Sequence, residues 1–215
     1  MDIRSTLFCS LIALGTVAHA EGLYILGSAG QTNTKLKDIS KSDLDSIVYS
    51  VAEDFGLDAS TSLDRSDTGF KFQIGYQFSP NFAIEGGYAD LGQLEYKYAI
   101  TDGVDSSNGK FSWETQGWNI DGVLILPVNA GFSLLGKVGF IRAETKFKLS
   151  IDGEKAISEE ETKVAPLFGL GVAWNFYQGL SARVEWERFF NVGEEDDLTT
   201  GLDIDLYSVG LSYQF

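Results

Sequence analysis

Phe70-Lys71-Phe72-Gln73-Ile74-Gly75-Tyr76-Gln77-Phe78 is the stretch whose pattern decides the fold. Phe70, Phe72, Ile74, Tyr76 and Phe78 are apolar, and Lys71, Gln73, Gly75 and Gln77 stand between them. Successive side chains of a β-strand point to opposite faces, so strict alternation makes one apolar and one polar face. Outward from this run the pattern recurs, and strands are expected at 22–31, 68–78, 82–91, 115–126, 132–144, 164–176, 180–190 and 204–215. Each is near the length, about 9–11 residues, that crosses a bilayer when tilted.

The connections alternate in length. Short ones fall at 79–81, 127–131 and 177–179, and long ones at 32–67, 92–114, 145–163 and 191–203. Short turns at one end and long loops at the other, with an even strand count, is the layout of a bacterial outer-membrane barrel. Pro80 and Pro127 sit in turns, and Pro166 lies near the loop end of its strand, where a missing N–H is tolerated.

Composition narrows the classes. The chain has 215 residues, 44% hydrophobic, 22% charged and 13% aromatic, with net charge −15. It is too rich in aromatics for a disordered chain. No stretch after residue 20 approaches about 18 uninterrupted apolar residues, which excludes a helical membrane protein. The acidity argues against nucleic acid, whose phosphates need clustered Lys and Arg. Residues 1–20 have the pattern of a cleaved signal peptide: Arg4 is basic, an apolar run follows, and Ala18-His19-Ala20 is a small-x-small site. Cys9 invites a lipoprotein reading, but Phe8 precedes it where lipid attachment wants a small residue. The expected mature chain, 21–215, is a single barrel domain without Cys, His or Met. Disulfides, a His-based triad, a His-ligated zinc site and a thiol nucleophile are then excluded, so neither a cofactor nor a resident metal is expected.

The faces separate barrel types. Trp118, Ile120, Leu124 and Leu126 share one face, as do Phe168, Leu170, Val172, Trp174 and Phe176. The opposite face holds Asn119, Asp121, Gly169, Gly171, Ala173 and Asn175. An eight-stranded interior is just wide enough to be filled by side chains. Charged and small residues inside, with lipid outside, satisfy the pattern. The reverse arrangement, a soluble lipocalin-type barrel, would leave aromatics in water and charges in an apolar core; a soluble β-sandwich is the alternative. The reading is an all-β, eight-stranded, antiparallel up-and-down transmembrane β-barrel with short periplasmic turns and long extracellular loops.

Four stretches resemble the OmpA-like transmembrane domain family. Gly75-Tyr76-Gln77-Phe78-Ser79-Pro80-Asn81-Phe82-Ala83-Ile84-Glu85-Gly86-Gly87-Tyr88, closing with Leu91-Gly92, is similar to its second hairpin. Val164-Ala165-Pro166-Leu167-Phe168-Gly169-Leu170-Gly171-Val172 resembles its sixth strand, and Ala182-Arg183-Val184-Glu185-Trp186 its seventh. Val209-Gly210-Leu211-Ser212-Tyr213-Gln214-Phe215 resembles its last strand. The resemblance implies a place in the bacterial outer membrane, with Phe215 and Tyr213 as the signal read by the assembly machinery. It also implies a central lumenal ion pair between Glu85 and Arg183. A further lumenal Lys of the family falls at Val123 and a Glu at Ala173, so a thinner network is expected. Longer family members carry a peptidoglycan-binding domain after the barrel. This sequence ends at Phe215, so that domain, and cell-wall anchoring with it, is not expected.

Parity places Lys71, Glu85, Asp121, Lys137, Arg183 and Glu185 in the lumen. Mixed charges in a narrow space are expected to pair, either as a plug and brace or as a gate. Without a His, a nucleophile elbow or an open cleft, these carboxylates do not point to an enzyme. The first long loop holds a helix signal. Ser42 is the expected cap with Asp45 three residues on, and Leu44, Ile47, Val48, Val51, Ala52 and Phe55 share a face. That helix either packs over the barrel rim or lies at the membrane surface or on a partner. The long connections carry twelve of the fifteen net negative charges. The densest run, Glu194, Glu195, Asp196 and Asp197, is a solvated tip or a weak divalent-ion loop with oxygen ligands only. The leading function is a structural barrel for envelope integrity. The alternatives are a surface adhesin and a narrow channel for small solutes. The expected partners are the lipid bilayer, lipopolysaccharide and the assembly machinery.

Overall fold

The structure is a computed structural model that describes residues 22–37, 40–103, 105–152, 154–193 and 201–215. The expected signal peptide, 1–20, and the acidic run Glu194–Asp197 lie outside the described residues. In chain order the elements are β1 (Gly22–Leu36), α1 (Lys41–Asp54), β2 (Asp58–Asp64), β3 (Ser66–Ser79), β4 (Phe82–Thr101) and β5 (Ser106–Asn129). They continue with β6 (Phe132–Ile151), β7 (Glu154–Tyr177), β8 (Leu180–Val192) and β9 (Leu202–Gln214).

Every described strand pairing is antiparallel, and β1 closes the ring by pairing with β9 from Leu36↔Leu202 to Tyr24↔Gln214. The ring has eight members, because β2 and β3 are two pieces of one side of the barrel and both pair with β4. Their break faces a bulge in β4 between Asp90 and Gln93. Gly92 sits there at φ +70°, and a Cβ on it would stand 2.8 Å from the Asp67 side chain. Asp67 in turn accepts a hydrogen bond from the Gln93 N–H at 2.9 Å. At the opposite end β5 and β6 are joined by Ala130 and Gly131, both at positive φ (51° and 82°), which is the tight-hairpin geometry that follows strand twist.

Alternation is obeyed around the wall. Phe72 is 55% exposed and Ile120 57%, whereas Lys71 and Asp121 between them are 2% and 1% exposed. The exposed face is the lipid face. Tyr88 meets Trp118 edge-on at 5.5 Å and Phe168 meets Trp186 at 6.1 Å near the loop side. Phe132 stacks on Trp174 at 5.8 Å near the turns. These rings form belts at the two interfaces, where aromatic side chains sit half in lipid and half in water.

Two expected loops are strands instead. Residues 92–101 and 106–114 continue β4 and β5, and 145–151 and 154–163 continue β6 and β7, so the barrel wall rises past the lipid as paired sheet. The reason lies in a change of face. Above the belt Leu94, Tyr96, Phe111, Trp113 and Phe147 form the inner side, joined by ring contacts of 5.3–6.3 Å. Glu95, Lys97, Lys110, Glu114, Lys146 and Lys148 take the outer side, linked by ion pairs of 2.6–2.8 Å where they meet a partner directly. Period two persists, but the outer surface is charged because water and headgroups, not acyl chains, surround it.

The lipid-facing register yields a direct test. Ile120→Arg should destabilise the barrel by about 2–4 kcal/mol, since Arg on the lipid face is costly toward the midplane. Trp118→Arg, at the belt, should cost less, and Asp121→Asn, facing inward, should spare membrane insertion. Denaturant unfolding in lipid vesicles, followed by the heat-modifiable band on gels, reads all three.

Candidate functional site

The barrel interior is the site. It has three layers. Near the turns, Tyr24, Ala83, Val123 and Leu135 cluster, with Ile125 and Ala173 against them. Toward the loops, Leu91, Ile141, Leu167, Phe189, Leu202, Ile204 and Leu206 form part of a second apolar layer with Leu36 and Trp113. Between them lies a polar layer. The sequence reading expected charged and small residues inside; the two apolar layers correct it. Tyr24 and Leu26 are a clear case: both are buried inside the barrel, while Leu23 between β1's start and Tyr24 is exposed on the lipid face.

Lys137 is the hub of the polar layer. Its Nζ lies 2.7 Å from both Glu85 Oε2 and Glu185 Oε1, and 3.7 Å from Glu187 Oε1. Arg183 Nη1 donates to Glu85 Oε1 at 2.6 Å and lies 3.8 Å from Glu185. Lys71 reaches Glu185 at 3.6 Å and makes its closest ion pair with Glu187. Tyr24 donates its hydroxyl to Glu85 at 2.7 Å while the Arg183 guanidinium stands over its ring at 5.1 Å. Bare charges are not stable in such a confined space, so each cation is shared between carboxylates.

Small residues make the room. Lys137 stands opposite Gly169, which also faces Glu187, and Glu185 stands opposite Gly171. Arg183 is flanked by Ala173 and Gly210. A Cβ on Gly169 would lie 2.8 Å from Glu187 Cγ, so the long charged chains fold over glycine wall.

Of the six residues expected in the lumen, five share this network. Asp121 is inside but differently held: it accepts from Gln73 at 3.0 Å and Asn119 at 2.5 Å, and among the described residues no cation lies within 4 Å of it. Glu187 and Tyr24 were missed. Glu187 was legible, two residues beyond Glu185 at the same parity. Tyr24 was not, because an aromatic in a half-apolar strand reads as lipid-facing. Phe215 and Tyr213 lie on the outer face by the turns, their rings edge-on at 5.1 Å.

The helix is displaced from its expected start. Ser40, not Ser42, caps α1, and Asp43 completes a reciprocal capping box with it. Ser40 lies immediately before the first helical residue, so its free backbone geometry suits a cap while Ser42 is already in the helix. Val48 and Ala52 are buried, but Ile47, Val51 and Phe55 are exposed, so only a narrow stripe packs inward. Asp45 is the clasp, accepting from Lys41 at 2.5 Å, Thr61 at 2.6 Å and Tyr96 at 3.0 Å. Hydrogen bonds from Lys41 and Thr61 hold its carboxyl below the usual carboxylate range. Burial, with the bond to Asp45, pushes the Tyr96 phenol up to about 12.

A model of the OmpA-like transmembrane domain matches residues 20–215. The chain belongs to that family. Outer membrane protein A of Escherichia fergusonii is 29% identical over 143 residues, 66% of this chain and 38% of that protein. The chain therefore spans well under half the length of that relative. Two solved barrels share the fold. Ail of Yersinia pestis, in complex with the heparin analogue sucrose octasulfate, superposes with a TM-score of 0.51 at 18% identity, covering 91% of this chain and 99% of Ail. Neisserial surface protein A superposes with a TM-score of 0.52 at 12% identity, covering 90% of this chain and 97% of that one. As an OmpA-like domain the protein is an integral β-barrel of the bacterial outer membrane.

The pairing inside this OmpA-like barrel has a quantitative consequence. Breaking a buried pair typically costs about 3–5 kcal/mol. Arg183→Ala leaves Glu85 with Lys137 and Tyr24, so about half that cost is expected. Combined with Glu85→Ala, the loss should fall short of the summed single losses by about 1 kcal/mol or more, the coupling expected of contacting residues. Urea unfolding of the refolded barrel in vesicles measures it, and strict additivity would mean that the two do not act as partners.

Proposed function

We propose that this protein is a structural barrel of the outer membrane that contributes to envelope integrity, with its lumen plugged by side chains and its acidic loops facing the medium. The observation that carries this reading is the layered interior: a buried ion network held between two apolar layers. A water path would need to cross both. The reading has no catalytic step, in line with relatives that are outer-membrane barrel proteins. The lipid bilayer, lipopolysaccharide and the assembly machinery are its proposed partners, and residues 1–20 its export signal.

The competing channel reading makes the opposite forecast in one experiment. Purified barrel in a planar bilayer should show no discrete conductance steps if the lumen is a plug. Steps in the native protein would replace the structural reading with the channel. Steps confined to Glu85→Ala or Arg183→Ala would make the ion pair a gate. The adhesin reading is favoured by one feature, the hairpins and α1 that extend beyond the belt with Ile47, Val51 and Phe55 uncovered. A sulfated polyanion such as that bound by Ail is a poor match for connections holding twelve of the fifteen net negative charges.

The terminal aromatics supply a further test. Phe215 is 71% exposed and its N–H donates to the Leu23 carbonyl at 3.0 Å, so its ring adds little packing. Deleting Phe215 should impair insertion in cells far more than refolding in detergent. Equal loss in both assays would mean that the residue serves stability and not recognition.

A further inference from the structure

The charges of the polar layer do not balance. Among the described residues it holds three buried cations, Lys71, Lys137 and Arg183, against four buried carboxylates, Asp121 and the three glutamates of the network. The glutamates take all three cations between them. Asp121 is 1% exposed, has no cation within 4 Å among the described residues, and stands directly opposite Glu85 across β4 and β5. Like charges in directly opposed positions destabilise a sheet. An ionised carboxylate sealed from water is stable only when it is paired or binds a metal ion.

The groups around Asp121 add acceptors, not charge. Gln73 and Asn119 flank Gly87 in one row across β3, β4 and β5, and both side-chain amides donate to Asp121 Oδ2, at 3.0 and 2.5 Å. An amide that turns its N–H to a carboxylate leaves its own oxygen to find another partner. Gln73 Oε1, Asn119 Oδ1 and Asp121 Oδ1 are all buried without a hydrogen-bond partner, on residues that are 0%, 7% and 1% exposed. Glycines leave the space: a Cβ on Gly139 would lie 2.5 Å from Asp121 Oδ1, and one on Gly87 would lie 2.8 Å from Gln73 Cγ. Three orphaned oxygens, one of them on the surplus carboxylate, are ligands for a hard cation. A water could give its two hydrogens to two of them and would leave the charge uncompensated. A divalent ion asks for more oxygens, six to eight for Ca²⁺, and would overshoot a deficit of one positive charge. We infer that Asp121, Gln73 and Asn119 form a binding site for one monovalent alkali cation, sodium or potassium, which completes the charge balance of the lumen. Their oxygens replace part of the ion's hydration shell, as carbonyl oxygens do in selectivity filters. Apolar layers lie on both sides of the polar layer, so the ion enters as the barrel folds. That site deepens the proposed filled lumen and rests on it; conductance tests the filling, and cation-dependent stability tests the ion.

The test refolds the full barrel into phosphatidylcholine vesicles at constant ionic strength, with sodium, potassium or the bulky N-methylglucamine ion as the cation, and follows urea unfolding. The native barrel should be more stable in sodium or potassium than in N-methylglucamine. Above the dissociation constant, each tenfold rise in the alkali ion should raise the folding equilibrium constant by about tenfold. Asp121→Asn, which removes the charge and keeps the shape, should abolish that dependence, and Asp58→Asn, at the exposed start of β2, should keep it. Crystals of native barrel refolded in thallium(I), a heavy monovalent mimic, should show one anomalous peak beside Asp121, a readout that stands even if Asp121→Asn fails to fold. Equal stability in all three cations, an undiminished cation effect in Asp121→Asn, or no anomalous peak at Asp121 would overturn the site. Stability that falls as pH rises in the native barrel but not in Asp121→Asn, with no alkali dependence, would put a proton on Asp121 in place of the ion and overturn it too. Loss of the alkali effect in a barrel without conductance steps would remove the ion and leave the plug standing.

Discussion

Lipid offers the peptide backbone nothing to hydrogen-bond with, and the rest of the structure depends on that constraint. An open sheet edge inside the bilayer would leave a row of bare N–H and C=O groups, so the sheet must close. Here the closure is the β1–β9 seam, from Leu36↔Leu202 to Tyr24↔Gln214. Once closed, each of the eight members of the ring has two neighbours and its side chains can only point in or out. That is why a chain with little continuous hydrophobicity can still be a membrane protein: only alternate residues meet the lipid.

Closure creates the second problem, a narrow interior that must be filled. Long charged side chains and glycines solve it together. Lys137 and Glu187 fold over Gly169, Glu185 over Gly171, and Arg183 between Ala173 and Gly210. The losses of a lumenal Lys at Val123 and a Glu at Ala173, expected from the family resemblance, fall in the apolar layer by the turns, where Tyr24 and Leu135 pack. Glu187 and Lys71 meet one level higher. The polar layer is thus shifted toward the loops relative to the expected pattern, and apolar packing takes the vacated level.

Strand positions and the wall's two faces were legible in the sequence wherever lipid lies outside, because there an apolar residue has one place to go. Phe72, Trp118 and Leu170 point out, and Lys71, Asp121 and Arg183 point in, as their parity implies. Legibility failed where both sides of the wall are able to take an apolar side chain. Tyr24 and Leu26 went inward because the lumen has apolar layers of its own. Leu94, Tyr96 and Trp113 sat in a stretch that reads as loop, since its aromatics alternate with Glu95, Lys97 and Glu114 but no longer mark a lipid face. The α1 cap shifted from Ser42 to Ser40 because two serines two residues apart offer the same signal, and only the Asp43 carboxylate, reaching back to the Ser40 N–H at 2.8 Å, separates them.

The inversion of faces fixes depth as well as topology. On β6 the outer side runs Val138, Phe140, Arg142, Glu144, Lys146, so the medium outside changes within two steps of one strand. Two strands along the ring, on β8, the same change falls between Trp186 and Arg188, where Asp205 collects Arg188 at 2.7 Å, Lys35 at 3.2 Å and the Trp186 indole N–H at 3.2 Å. The two boundaries are built differently. At β8 and β9 the boundary cation is neutralised by the protein itself, so that side of the barrel asks nothing of its surroundings. At β6, among the described residues, Arg142 has no ion-pair partner, because the positions beside it are Trp118 and Val164. The change of medium is thus met at each place by whatever side chains the register brings together, and not by one repeated ion pair.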